Sequence, residues 1–273
     1  MKWASALICL AALLFAAGPA YARKSSASQQ ASKSVVSKAP RRVAARSVGS
    51  PDEGKLVGGQ RIERNKALRL IGSLRFALPG LVGMLERGAE SVAKRHPGSI
   101  LTVGDLSAQG GGDVDGHRSH ESGRDADVGF YLMKNGKPFL PPRFAVIDEK
   151  GVAMGFNGVR FDDARNWALI QSFLSDRDGR VLQIFVAKHL RARLLAHAAR
   201  VGASPGVRAR AAEVLMQPRK ALPHDNHFHV RIACPRGDEA CINFGKKKKT
   251  ADARVKKERR GKMTARPKRR SKK

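Results

Sequence analysis

The chain has 273 residues, with 53 Lys and Arg against 23 Asp and Glu, and a formal charge of +30. Such a balance points to a partner rich in phosphate or carboxylate. Aromatic residues make up only 5% of the chain, so base-stacking platforms have little material and a reader of single-stranded nucleic acid is disfavoured.

The first 22 residues, MKWASALICLAALLFAAGPAYA, read as a secretory signal peptide. Lys2 precedes an apolar run from Trp3 to Ala17 that is too short to span a membrane. The run closes on the small-x-small pattern Ala20-Tyr21-Ala22, with cleavage expected after Ala22. Export to the periplasm follows, with no transmembrane span left after cleavage. An exported chain does not meet the chromosome, so no nucleic-acid partner is expected. Residues 23–50 hold 7 Lys and Arg, no acids and no hydrophobic pattern, and are expected to be a disordered basic arm. Residues 51–245 carry 29 basic and 21 acidic side chains, and their roughly 195 positions suffice for one folded domain. Residues 246–273 hold 16 basic and 2 acidic residues. They are expected to be a disordered tail that meets an anionic envelope surface, either peptidoglycan carboxylates or lipid headgroups.

Within the core, Leu78, Leu81, Met84, Leu85 and Val92 predict a helix over 78–94, with Pro79 in its first turn and Pro97-Gly98 as its stop. Strands are expected over 99–107 and 124–132, the second with Ala126, Val128 and Phe130 alternating against Asp125, Asp127 and Gly129. Residues 133–161 carry no readable motif and are assigned to a cleft wall. A helix capped by Asp follows over 162–176, placing Trp167, Ile170 and Leu174 on one face. A strand is expected over 180–187, then helices over 188–200 and 206–216, and a last strand over 227–234. His189 and His197 on the 188–200 helix read as ordinary packing or surface residues. Helices and strands mix without a βαβ rhythm, which predicts an α+β fold with a small antiparallel sheet flanked by helices. Once the signal peptide takes Cys9 with it, Cys234 and Cys241 remain. Six residues lie between them, and in an oxidising compartment they read as a local disulfide. A zinc site there is the weaker reading, because no second cysteine pair is nearby.

Five of the eight histidines fall in two short clusters. Residues two apart on a strand share a face, so His227 and His229 point one way while Phe228 and Val230 turn to the core. His224 stands in the approach loop. His117 and His120 lie in a loop rich in Gly and Ser, and Asp127 follows His120 by seven residues. His120, Asp127 and one of the pair His227/His229 supply the N and O donors that Zn²⁺ accepts. Three protein ligands leave a fourth position for water, the pattern of a catalytic site and not of a closed structural one. Asp125 shares the strand face of Asp127 and reads either as a partner fixing an imidazole tautomer or as a solvated acid.

Taken together, GDLSAQGGG…GHRSHESGRDADV and HDNHFHVRIACP resemble the penicillin-insensitive murein endopeptidases. These belong to a wider group with D-Ala-D-Ala dipeptidases, D,D-carboxypeptidases and lysostaphin-type peptidases. The resemblance runs from about Phe76 to Cys241. It implies zinc held by His120, Asp127 and His229, with His227 acting near the water and His117 and His224 lining the cleft. It further implies hydrolysis of D-alanyl-meso-diaminopimelyl cross-links in peptidoglycan without a serine nucleophile. The approach RKALPHDN lacks the aromatic residues associated with this loop in relatives, and the basic arm and tail are no part of the pattern. Two alternatives share the polar set: a zinc D,D-carboxypeptidase acting on uncross-linked stems, and a non-catalytic cell-wall-binding protein.

Overall fold

Residues 44–218 and 222–244 are described by a computed structural model. The expected signal peptide, most of the expected arm and the expected basic tail lie outside these residues. The end of the arm does not: Arg46–Ser50 form strand β1, which pairs antiparallel with β2 (Glu53–Val57). The correction has a clear source. Ser47 and Ser50 are buried, and Gly49 exchanges backbone hydrogen bonds with Ala240 and Ile242, contacts that no local hydrophobic pattern announces.

Short strands β3 (Gln60–Arg61), β4 (Leu68–Leu70) and β5 (Phe76–Ala77) lead into helix α1 (Pro79–Arg95). Pro in the first turn needs no N–H partner, and Lys94 and Arg95 suit the negative end of the helix dipole. Its apolar stripe, Leu81, Met84, Leu85, Ala89 and Val92, is fully buried. Strand β6 (Leu101–Val103) is shorter than expected, because beyond it the Gly104 and Leu106 amides bond to Asp127 and Leu74 in an irregular path. Strand β7 (Asp125–Gly129) also stops early, where the Tyr131 amide turns to Asn166 Oδ1. The motif-free segment then builds a separate antiparallel sheet of β8 (Leu132–Lys134), β9 (Lys137–Phe139) and β10 (Val159–Phe161), in the order β10-β8-β9.

Helix α2 (Asp163–Ser175) is capped by Asp162, whose carboxylate accepts the Arg165 amide at 3.0 Å. After β11 (Val181–Phe185) come α3 (Lys188–Arg200) and α4 (Pro205–Val214). The expected end of the last helix, Leu215–Met216, is instead strand β12, and β13 (His227–Ile232) closes the fold. Among the described residues, no helix is long and apolar enough to cross a membrane.

The main sheet runs β12-β11-β13-β7-β6-β4. Its central pairs are antiparallel, as expected for this α+β fold. The outer pairs β11/β12 and β4/β6 are parallel, because helices carry the chain back between their partners. Phe228 and Val230 turn to the core and are fully buried, Phe228 against the Phe130 ring. On the opposite face of β13, His229 lies across from Asp127, His227 from Gly129 and Arg231 from Asp125. Just past β13, Cys234 and Cys241 are joined in a disulfide with their Cα atoms 5.6 Å apart.

Candidate metal centre

The loop between β6 and β7 doubles back through Gly111, Gly112, Gly116 and Gly123, all at positive φ. It delivers His120 into the interior, fully buried and itself at φ 81°, a left-handed conformation costly for a side chain with a Cβ. What holds it there is a hydrogen bond from Nδ1 to the Leu106 carbonyl at 2.6 Å. In a neutral ring that bond places the proton on Nδ1, so Nε2 offers a lone pair, directed at Asp127 Oδ1 3.4 Å away. His227 is built alike. Its Nδ1 donates to Asn226 Oδ1 at 2.7 Å, and Nε2 lies 3.3 Å from Asp127 Oδ1. His229 donates from Nε2 to Asp125 Oδ1 at 2.7 Å and turns Nδ1 toward Asp127 Oδ1 at 3.3 Å.

Three imidazole nitrogens thus gather around one carboxylate oxygen. Yet Asp127 Oδ1 and His120 Nε2 are both buried without a hydrogen-bond partner. Buried acceptors aimed at one another are costly unless a cation lies between them. The donor chemistry, imidazole nitrogens with a carboxylate, is what Zn²⁺ and similar ions take. His117 adds to the set: its Nδ1 is 3.8 Å from Asp127 Oδ2, and its Nε2 is 3.3 Å from Asp105 Oδ2. Ligand atoms of His117, His120 and Asp127 all lie within 4.8 Å of one another, close enough to hold one metal ion.

Electrostatics tell the same story. Burial alone would raise both strand acids, but Arg231 and His229 hold Asp125 below the usual carboxylate range. His120, His227 and His229 do the same for Asp127. For His229, burial works against the charged ring, yet Asp125 and Asp127 outweigh it and raise its pKa to about 9. Without a metal, a proton on His229 is the cation facing Asp127. A metal ion bound at this nitrogen would take that proton's place, because ligand and proton compete for it. Burial, with His227 and His229 beside it, lowers His224 to about 4, so that ring stays neutral. Its Nδ1 donates to the Leu222 carbonyl at 2.9 Å, and its ring centre is 5.3 Å from that of His227.

All six residues singled out from the sequence, His117, His120, Asp127, His224, His227 and His229, meet in this one place. The profile of the penicillin-insensitive murein endopeptidases matches residues 47–272. The chain belongs to that family. A penicillin-insensitive murein endopeptidase of Haemophilus influenzae is 29% identical over 216 residues, 72% of this chain and 66% of that protein. Proteins of the same name from Salmonella heidelberg and Yersinia pestis bv. Antiqua are 27% and 28% identical over 207 residues. Each match covers 72% of this chain, with 70% and 69% of the relative. The match thus spans just under two thirds of the Haemophilus protein's own length.

In this family member, five neighbours of the site escaped the sequence reading. Asn226 and Arg231 flank the histidine pair, and strand alternation could have put Arg231 beside Asp125, which it contacts at 2.6 Å. Asp105 sits within the quoted GDLS stretch and holds both the Ser73 and Leu74 amides and His117. Phe185 packs its ring 5.3 Å from His229. Phe144 stacks on His227 from the segment without a motif, and no local signal marks it. His189 and His197 stay outside, the first against the Ile147 carbonyl and the second against Arg200.

Proposed function

We propose that this protein is a zinc-dependent D,D-endopeptidase, exported to the periplasm by residues 1–22, that hydrolyses D-alanyl-meso-diaminopimelyl cross-links in peptidoglycan. The observation that carries the reading is the convergence of three imidazole nitrogens, at 3.3–3.4 Å, on an Asp127 oxygen that is buried without a hydrogen-bond partner. The relatives' shared name, murein endopeptidase, supplies the polymer.

In this reading His120, Asp127 and His229 hold the metal. Their side chains are the most enclosed of the candidate ligands, at 1%, 8% and 9% exposure, whereas the His117 and His227 side chains are 22% and 19% exposed. Bound there, zinc supplies Lewis acidity that polarises the scissile carbonyl and makes water a nucleophile near neutral pH. His227 takes the proton from the water and passes it to the leaving amine. Asn226 occupies its Nδ1, so Nε2 is the atom that carries the proton. Asp125 keeps the His229 ring turned toward the metal position. His117, braced by Asp105, and the neutral His224 line the cleft and offer hydrogen bonds to substrate. The 16 cationic residues of 246–273 retain the enzyme on its anionic polymer.

Purified protein incubated with cross-linked muropeptides, with and without chelator, tests this directly. Mass analysis should find the cross-link cut only when metal is present. Release of terminal D-alanine from uncross-linked stems alone would make the protein a carboxypeptidase. Binding of sacculi with no product at all would make it a wall-binding protein.

A further inference from the structure

Phe144 comes from the segment between β9 and β10, which carries no recognisable motif. Its ring lies nearly parallel to the His227 imidazole, at 21°, with ring centres 5.1 Å apart. Two glycines make its seat. A Cβ on Gly104 would come within 2.9 Å of the Phe144 ring, and one on Gly129 within 3.0 Å, so no larger residue fits at either position without displacing the ring. Gly129 is the register partner of His227, and Gly104 donates its amide to the Asp127 carbonyl at 2.8 Å. The ring therefore rests on β7, which carries Asp127, and on the chain just past β6 that is hydrogen-bonded to it. Both sides of its loop are pinned: Arg69 on β4 donates to the Pro141 carbonyl, and the Ile147 amide donates to the Asp225 carbonyl at 2.8 Å.

His227 needs such support. Its side chain is partly open to solvent, and the outer torsion of a histidine is broad and roughly two-fold. Left free, the ring could turn and present Nδ1 where Nε2 is required. Asn226 fixes which nitrogen carries the hydrogen, but a single hydrogen bond at the ring edge leaves the plane free to tilt. A flat, immobile apolar face removes that freedom and excludes water from one side of the imidazole. We infer that Phe144 is a positioning residue for His227, setting the plane in which its Nε2 meets the substrate while contributing nothing to metal binding. This rests on the proton-transfer role proposed above for His227.

Full-length Phe144→Leu and Phe144→Tyr proteins, reconstituted with zinc, test the inference against wild type. Zinc content should be equal in all three. The Leu variant should lose about tenfold in kcat with KM changed by less than about twofold, and the Tyr variant, which keeps the flat face, should stay within about threefold of wild type. Phe144→Met, which keeps the volume but not the plane, replaces Leu should that variant fail to fold. A second measurement does not depend on turnover. In protein labelled at histidine ring nitrogens, the His227 signal, assigned by its loss in His227→Gln, should be single and sharp in wild type and Tyr, and broadened or doubled in Leu. An unchanged kcat and a sharp His227 signal in Phe144→Leu would overturn the inference. So would loss of zinc from that variant, which would make the ring a support of the metal site. If wild type itself cuts no muropeptide, the proposed function fails, while the ring-nitrogen signal still decides the role of Phe144.

Discussion

Asp125→Asn separates a carboxylate that acts through His229 from one that only stabilises the fold. Asp125 is fully buried, and its Oδ1 accepts from His229 Nε2 at 2.7 Å and from Arg231 Nε at 2.6 Å. The amide keeps the shape but loses the charge, and it can no longer satisfy both donors as an anion. Carboxylates behind a metal-binding imidazole typically contribute roughly 10–100-fold in metal affinity, about 1.4–2.7 kcal/mol. Leaving a buried cation unpaired costs about 3–5 kcal/mol of stability. Arg231 also lies 5.7 Å from the centre of the Phe185 ring and is not wholly enclosed, so the lower figure, about 3 kcal/mol, is expected. Competition with a chelator of known affinity measures the first effect, and urea unfolding of the metal-free protein measures the second. At saturating zinc the variant should recover most of its turnover, because Asp125 touches neither substrate nor metal. Unchanged zinc affinity in a destabilised Asp125→Asn protein would refute the argument, since Asp125 would then brace Arg231 alone.

Replacing His120, Asp127 or His229 with Ala should remove zinc and hydrolysis together. His227→Ala should keep its zinc and lose roughly 10²–10⁴ in turnover, and loss of metal there would mean that the roles of His227 and His229 are exchanged. Reducing Cys234–Cys241 should cost on the order of 2 kcal/mol for so short a loop, and equal melting temperatures with and without reductant would count against it. Asp176 accepts from Arg87 and from the Asp178 and Gly179 amides, and these outweigh burial and lower its pKa. Its contribution is therefore present above the ordinary carboxylate range and lost as pH falls through the depressed value. Asp176→Asn should cost about 1 kcal/mol at pH 7, and urea titrations should show the difference closing below about pH 4. Deleting residues 246–273 should leave cleavage of a small soluble muropeptide unchanged but weaken sedimentation with sacculi and flatten its salt dependence. Undiminished binding at low salt would show that the tail does not retain the enzyme.

Most of the candidate site was legible because its residues lie on features with strong local signatures. Strand alternation placed His227 and His229 on one face, and the glycines around His120 marked a loop able to fold inward. The helices over Pro79–Arg95 and Asp163–Ser175 were visible in apolar spacing, in an early Pro and in an Asp cap. What escaped depends on contacts distant in sequence. Strand β1 carries the weakly patterned stretch RSVGS and exists because Gly49 pairs with residues near 241. Phe144 reaches His227 across 83 positions of chain, and its seat requires two glycines, one just past β6 and one on β7. Even the parallel edges of the sheet follow from where the helices return the chain, which strand patterns alone do not state.

The two acids of β7 show how register assigns chemistry. Asp125 and Asp127 share a face and a strand, and both are buried in a setting that penalises their charge. Across β13, Arg231 pairs in register with Asp125 and His229 with Asp127. The first carboxylate therefore meets a permanent cation and becomes a fixed support. Among the described residues no arginine or lysine pairs with the second; its charge is met only by imidazoles and by what they hold. At neutral pH that is a proton on His229, or a metal ion in its place. Sliding β13 by one residue would turn both histidines into the core and bring Phe228 and Val230 to the site. The burial of Phe228 and Val230 that fixes the sheet thus also fixes which acid is left without an arginine partner, and it is the one ringed by imidazole nitrogens.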